Sequence, residues 1–381
     1  MGVIIGMDPH KRSATIEVVD EHANVLAVGR YGTDKAGYAQ MLTAGRRFGD
    51  RVWAIEGCNG AGRHIAHRLV ASGETVMDVP AKLSAQVRVF ATGNGRKTDP
   101  VDAHSVALAA LRSPNLVKVE VHPDLVALGL LADRRDELGR ARTQTINRIH
   151  RLLLELLPGG AKKFLSAAQA RALIATTRPR DIAGKTRRKL VAELITELEG
   201  IDRKIKACEK EIKALVGVQD STLLQLHGIG PSSAARLLAD AGNIHRFPSR
   251  DHFASGNGTA PLGASSGQQQ RHRLSRAGNR RINRALHIMA VVQLRHPTEG
   301  RAYYDARKAA GKTSMEAMRC LKRRLSNIAC RQMLQDQDRT QAAGPGGHSG
   351  TTLQSSVTDL TPGPVASAEV VAKFPLVGVA S

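Results

Sequence analysis

Residues 3–31 read VIIGMDPHKRSATIEVVDEHANVLAVGRY, and the fold is decided here. "VIIGMD" is an apolar run that stops at Asp8, "SATIEVVD" alternates apolar with polar residues, and "NVLAVGRY" follows a short polar turn. A period of two marks a strand with one buried face, so the stretch predicts three strands in hairpin succession. Further along come a helix from Tyr38 to Arg47 and a fourth apolar strand, "RVWAIEG", ending at Glu56. A helix over 61–72, the strand "TVMDVP", a helix over 81–91 and a helix opened by Asp99 complete the region.

Three antiparallel strands followed by strand and helix in alternation is the order of an RNase H-like α/β sheet, expected over residues 1–115. Residues 116–217 read as a charged helical segment. Leu190, Leu194, Leu198, Ile201, Ile205, Cys208, Ile212 and Leu215 are spaced by steps of four and three, a heptad seam. An intramolecular hairpin against a helix over 125–157 and a coiled coil between two copies both satisfy that seam, with "LPGGAKKF" as the break. Residues 218–335 form a third, mostly helical unit around a Gly- and Ser-rich middle. From 336 to 381 the chain is poor in charge and rich in Gly, Ser, Thr and Pro, the composition of a disordered tail.

Charge narrows the partners. The 381 residues hold 56 Lys+Arg against 34 Asp+Glu, a net of +22, which favours a polyanion. Aromatics are 3%, too few for stacking on bases to be the main binding mode, so Arg and Lys contacts to phosphate fit better. Cys58, Cys208, Cys320 and Cys330 show no paired metal spacing and read as thiols of a reducing compartment. The apolar run after Met1 is short for a signal peptide and no stretch reaches membrane-span length, so a soluble bacterial cytoplasmic protein at the nucleoid is expected.

Four acids stand out against the basic background. Asp8 ends the first strand, Glu56 ends the fourth, and Asp99 and Asp102 lie three apart on the first turn of a helix, on one side of it. Strand ends of an open α/β sheet are where ligands collect. Carboxylates converging there repel unless hard cations neutralise them, which points to Mg2+. Two such ions can clamp the attacking and leaving oxygens of a phosphodiester. Taken singly, Asp99 or Asp102 is also an ordinary helix N-cap. Arg96 and Lys97 stand beside the pair, placed to meet the phosphate backbone.

Toward the C-terminus "LLQLHGIGPSSAARLLADAG" has the form of a helix-hairpin-helix, with Gly228 and Gly230 in the turn and Pro231 opening the second helix. Next comes "GTAPLGASSGQQQRHRLSRAGNRRINRALHIMA", in which Ser265 and Ser266 precede Gly267. Arg271, Arg273, Arg276, Arg280, Arg281 and Arg284 follow. On the residues alone, the serines suit a Ser/Gly linker, a phosphate-binding loop or a nucleophile whose charged intermediate the arginines steady. No His-Asp partner stands at local spacing for a hydrolase triad.

"GMDPHK", "AIEG" and "KTDPVDA", joined to "LHGIGPSSAARLLADAG" and "APLGASSG…RLSRAGNRRINRAL", resemble the DEDD transposases of insertion-sequence family one-ten, which include pilin-gene-inverting recombinases. The likeness covers roughly residues 3–333. It implies a RuvC-like domain, a coiled-coil segment and a C-terminal transposase domain, with Mg2+ at Asp8, Glu56, Asp99 and Asp102. It further implies Ser266 as the residue that joins the DNA backbone at strand exchange, with Ser265 left open as its neighbour. Donor and target DNA, a noncoding bridge RNA and a homo-oligomer are the partners it implies. Base pairing by a guide would supply specificity, leaving the protein a sequence-blind phosphate grip. Two other readings are a junction endonuclease that uses the acids without the serine, and a nucleic-acid scaffold that uses neither.

Overall fold

The computed structural model describes residues 2–58, 60–90, 98–264, 272–273, 275 and 278–343. The chain divides into two units, Met1–Arg339 and Thr340–Ser381. The first begins with the expected meander: β1 (Val3–Pro9), β2 (Ser13–Val19) and β3 (Val25–Gly32). Then come α1 (Lys35–Arg46), β4 (Arg51–Glu56), α2 (Arg63–Ala71), β5 (Val76–Val79), α3 (Ala81–Phe90), α4 (Asp99–Leu111) and β6 (Val117–Lys118). The sheet order is β3-β2-β1-β4-β5-β6. β2 runs antiparallel to both β1 and β3, while β4 and β5 extend the sheet in parallel with β1. This is the RNase H-like, RuvC-like order. β6, antiparallel to β5, is a short closing strand that the sequence reading did not place.

Alternation sorts the sheet into two faces. Ile5, Met7, Trp53 and Ile55 bury against Met41, Ile65 and Leu69 of α1 and α2. Each large side chain buried this way contributes roughly 1.5–3 kcal/mol. The opposite face takes α3 and α4 through Ala54, Val79, Val106, Ala109 and Leu83. α4 comes in close because Gly6 has no side chain: a Cβ there would lie 2.4 Å from the Ala103 carbonyl oxygen.

Beyond the sheet, α5 (Pro123–Leu156) and α7 (Ile182–Val218) form an antiparallel hairpin, with α6 (Ala167–Thr176) packed near its tip. Ion pairs Arg135–Glu209 at 3.0 Å, Arg142–Asp202 at 2.6 Å and Arg187–Glu155 at 2.6 Å fix the register. The heptad seam is thus used within the chain, with its first two positions shifted by one residue, to Val191 and Ile195, and Leu198 buried as expected. Val191, Ile195 and Leu198 are buried, while Leu190 is 43% exposed. Apolar residues occupy both 190/194 and 191/195, and Ile149 and Leu153 of α5 select the second pair.

α8 (Pro231–Ala241), α9 (Arg250–Gly256), β7 (Leu262–Gly263), β8 (His272–Arg273), α10 (Arg280–Gln293), α11 (Glu299–Ala309) and α12 (Ser314–Ala343) complete the chain. α8, α10 and α12 share a core with the start of α5 and the end of α7. The arm before the Gly228 hairpin is a 3-10 turn, Thr222–Gln225, shorter than a helix-hairpin-helix reading expects. Asp336 of α12 holds it, accepting from Thr222 N, Thr222 Oγ1 and Ser221 Oγ. α12 therefore runs past Gln335, where composition placed the start of the tail; residues 344–381 lie outside the described residues. Among the described residues, no helix is long and apolar enough to cross a membrane.

Candidate active site

Gly6 of β1 sits beside Ala54 of β4. Two residues further on each strand, Asp8 and Glu56 emerge on the face that α4 covers. On α4, Thr98 is the N-cap and its side chain makes no capping bond, so Asp99 and Asp102 sit inside the first turn rather than capping it. The plain N-cap explanation of the pair therefore fails. Asp102 is buried, and Asp99 is half-buried.

Asp8 and Asp99 meet through a residue the sequence reading passed over. His10 Nε2 lies 3.4 Å from Asp8 Oδ2 and 3.2 Å from Asp99 Oδ1. Ligand atoms of these three residues all fall within 4.8 Å of one another. Glu56 accepts a hydrogen bond from Ser84 Oγ of α3. Asp102 pairs with Arg88 of the same helix α3, and Asp99 Oδ2 lies 3.3 Å from Arg30 Nη2. One more acid shares the face: Glu17, opposite Gly6 in the sheet, is buried and paired with His104 of α4.

Burial, followed by the charges of Asp102, Asp99 and Glu56, raises the Asp8 pKa above the ordinary carboxylate value, against the opposing pull of His10. The structure brings Asp8 and Asp99 together with His10, while Glu56 and Asp102 stay outside that cluster, tied to Ser84 and Arg88. Asp8 Oδ2 is buried and accepts no hydrogen bond, nor does the buried hydroxyl of Thr15, its neighbour across β2. With only His10 Nε2 beside it, at 3.4 Å, this buried carboxylate oxygen has coordination to spare, which is costly unless something fills it. A divalent cation fits this donor set of two carboxylates and an imidazole, from Asp8, Asp99 and His10.

The basic residues are only partly assembled. Arg96, Lys97, Ser265, Ser266, Arg271 and Arg276 lie outside the described residues. Gly228, at φ +90°, meets the Met289 backbone of α10, where a Cβ would lie 2.9 Å from its carbonyl oxygen. Gly230 caps the N-terminus of α8. Arg273 and Arg280 are exposed. Arg281 is tied internally, 3.2 Å from Asp133, unlike the open phosphate contact its sequence context suggests.

A family model for DEDD transposases of the IS110 type matches residues 5–158, and the transposase model for the IS116/IS110/IS902 family matches residues 220–305. The probable family 20 transposase of Pseudomonas aeruginosa is 30% identical over 70% of this chain and 76% of its own. The IS116 insertion-element protein of Streptomyces clavuligerus is 25% identical over 85% and 92%. The transposase for insertion sequence element IS1111A of Coxiella burnetii is 28% identical over 86% and 85%. RuvC of Thermus thermophilus overlaps 31% of this chain and 99% of its own at 18% identity, with a TM-score of 0.25; the strand order, not this overlap, defines the fold. With the catalytic-domain topology, the acids at its strand ends and both family regions in place, the chain belongs to the IS110 family of DEDD transposases.

Proposed function

We propose that the protein cuts and rejoins DNA strands at the acidic site, through an intermediate in which Ser266 is esterified to the DNA backbone. The observation that carries this reading is the Asp8 carboxylate held with Asp99 and His10, its pKa raised first by burial and then by the charges of Asp102, Asp99 and Glu56. Mg2+ is the ion we assign, with Asp8, Glu56, Asp99 and Asp102 to hold it. When bound it would polarise the scissile phosphate and lower the cost of charge on the oxygen that departs.

The chain's own groups do the rest. His10 bridges Asp8 and Asp99 and keeps the two carboxylates in register. Ser84 and Arg88 of α3 orient Glu56 and Asp102. In the serine step, Oγ of Ser266 forms a bond to phosphorus as one phosphorus–oxygen bond of the strand breaks, and the serine proton ends on the departing sugar oxygen. One ester replaces another, so no nucleotide cofactor is required. Donor and target DNA are the proposed partners, with a noncoding guide RNA supplying sequence choice and a homo-oligomer holding the ends.

The test is strand exchange on element-end DNA in Mg2+, read on denaturing gels that retain protein-linked strands. Asp99→Ala and Ser266→Ala should each abolish exchange, and only the wild type should give the adduct. Free nicked strands without any adduct would instead identify a junction-type endonuclease.

A further inference from the structure

A cavity of about 760 Å3 lies among the β7–β8 hairpin, α11 and α12. Arg307, Lys312, Arg319, Lys322, Arg323 and Arg324 line it, and Glu316 is the carboxylate among its lining residues. That carboxylate is already engaged at the start of α12: it accepts from Thr313 N at 2.9 Å and Thr313 Oγ1 at 2.8 Å, and stays 3.9 Å from Arg319. Arg323 is taken by Asp251. Glu316 acts on Arg319 and Lys312, whereas among the described residues Arg307, Lys322 and Arg324 have no carboxylate within ion-pair distance.

The cations are also held in place. Arg319, Lys322 and Arg323 fall on one side of α12, spaced by three and four residues. The guanidiniums of Arg307 and Arg324 sit over the Tyr303 ring, 5.0 and 4.9 Å from its centroid. Lys322 Nζ donates to Asn283 Oδ1 at 2.5 Å, and burial, with Arg280 nearby, pushes its pKa below the ordinary lysine value. Gathering like charges in this way is unfavourable without an anion to answer them. Guanidinium forks match phosphate oxygens in pairs, and fixing the arginines on an aromatic ring beforehand reduces the entropy lost on binding.

Position selects the anion. Arg273 of β8 lines the cavity, as does Pro261 just before β7, so two of its wall residues flank Ser266 in the sequence. Ser266 is three residues beyond Gly263 in the chain. We propose that this cavity binds the phosphodiester backbone of the DNA strand on which the serine segment acts. The proposal rests on the strand-transfer reading above and adds its phosphate grip, contributed by α11 and α12, which the sequence motifs did not mark.

The test measures binding of the full chain to a labelled DNA duplex and to a labelled RNA strand over a series of salt concentrations. Arg307→Gln/Arg319→Gln/Arg324→Gln should weaken DNA binding by at least about tenfold and make the plot of log K against log salt shallower by about 2–3. Arg319→Gln alone should shift the slope by about 1 in the same direction, guarding against a triple variant that does not fold. A matched set on the exposed side of α7, Arg203→Gln/Lys206→Gln/Lys210→Gln, should leave the slope nearly unchanged. Unchanged DNA affinity in the triple variant, a loss confined to RNA, or an equal loss in the α7 set would overturn the assignment. Asp99→Ala/Asp102→Ala separates the two claims. If that variant still exchanges strands, the acidic-site reading fails; if it is inactive while the triple variant binds DNA normally, only the cavity proposal fails.

Discussion

Gly6 and Ala103 define the contact that builds the site: a Cβ on Gly6 would lie 2.4 Å from the Ala103 carbonyl oxygen and 2.6 Å from the Ala107 side chain. β1 delivers Asp8 and α4 delivers Asp99 and Asp102, so the spacing between strand and helix sets the spacing of the acids. Gly6→Ala should push α4 away from the sheet. Overpacking of this kind costs roughly 1–3 kcal/mol. The expected result is a modestly lowered melting temperature with a disproportionate loss of strand cleavage; a variant as active as wild type would separate the site from this packing.

A charge network around Glu74 supports the start of β4 in the same sheet. Glu74 accepts from Arg51 Nε at 2.6 Å and from Trp53 Nε1 at 2.9 Å, with Arg46 Nε at 3.1 Å. The Arg51 hydrogen bond comes first among the causes that hold the Glu74 pKa down to about 2. A carboxylate whose folded pKa is depressed contributes stability that is present above its unfolded pKa near 4.5 and lost as pH falls through about 2. Glu74→Gln should cost about 3 kcal/mol at neutral pH. Chemical denaturation at pH 7 and pH 3 should show the gap between wild type and variant narrowing at the lower pH.

The α5–α7 hairpin gives a direct comparison between neighbouring seams. Leu153 is fully buried while Leu190 is 43% exposed. Leu153→Ala should destabilise by about 2–5 kcal/mol and Leu190→Ala by less than about 0.5. Equal losses, or a change of oligomeric state on replacing Leu190, would favour a coiled coil between copies over the intramolecular hairpin. Denaturation curves together with light scattering decide it.

Much of this was legible in the chain. An apolar run and period-two alternation marked β1 to β3, and a strand end and a helix start marked Asp8 and Asp99, which meet in the fold. What escaped depends on contacts across long sequence separations. His10 meets Asp99, Glu17 meets His104, and Thr222 meets Asp336, each through the packing of separate elements that no local pattern encodes. Arg88 and Ser84 look like ordinary positions of α3 until that helix is laid over the sheet. The choice between Leu190 and Val191 was likewise open, since both rows are apolar and only the partner helix distinguishes them. The cations of α12 were hidden by being spread along a helix instead of gathered in a motif.

The central claim is that the acids share one cation. Titration of the full-length protein with Mn2+, followed by the loss of free-ion electron paramagnetic resonance signal, tests it most directly. Wild type should bind Mn2+ in competition with Mg2+, and Asp8→Asn and Asp99→Asn should each weaken that binding by at least about tenfold, the 1.4 kcal/mol expected from one lost carboxylate ligand at minimum. Binding that is unchanged in both variants would contradict the account.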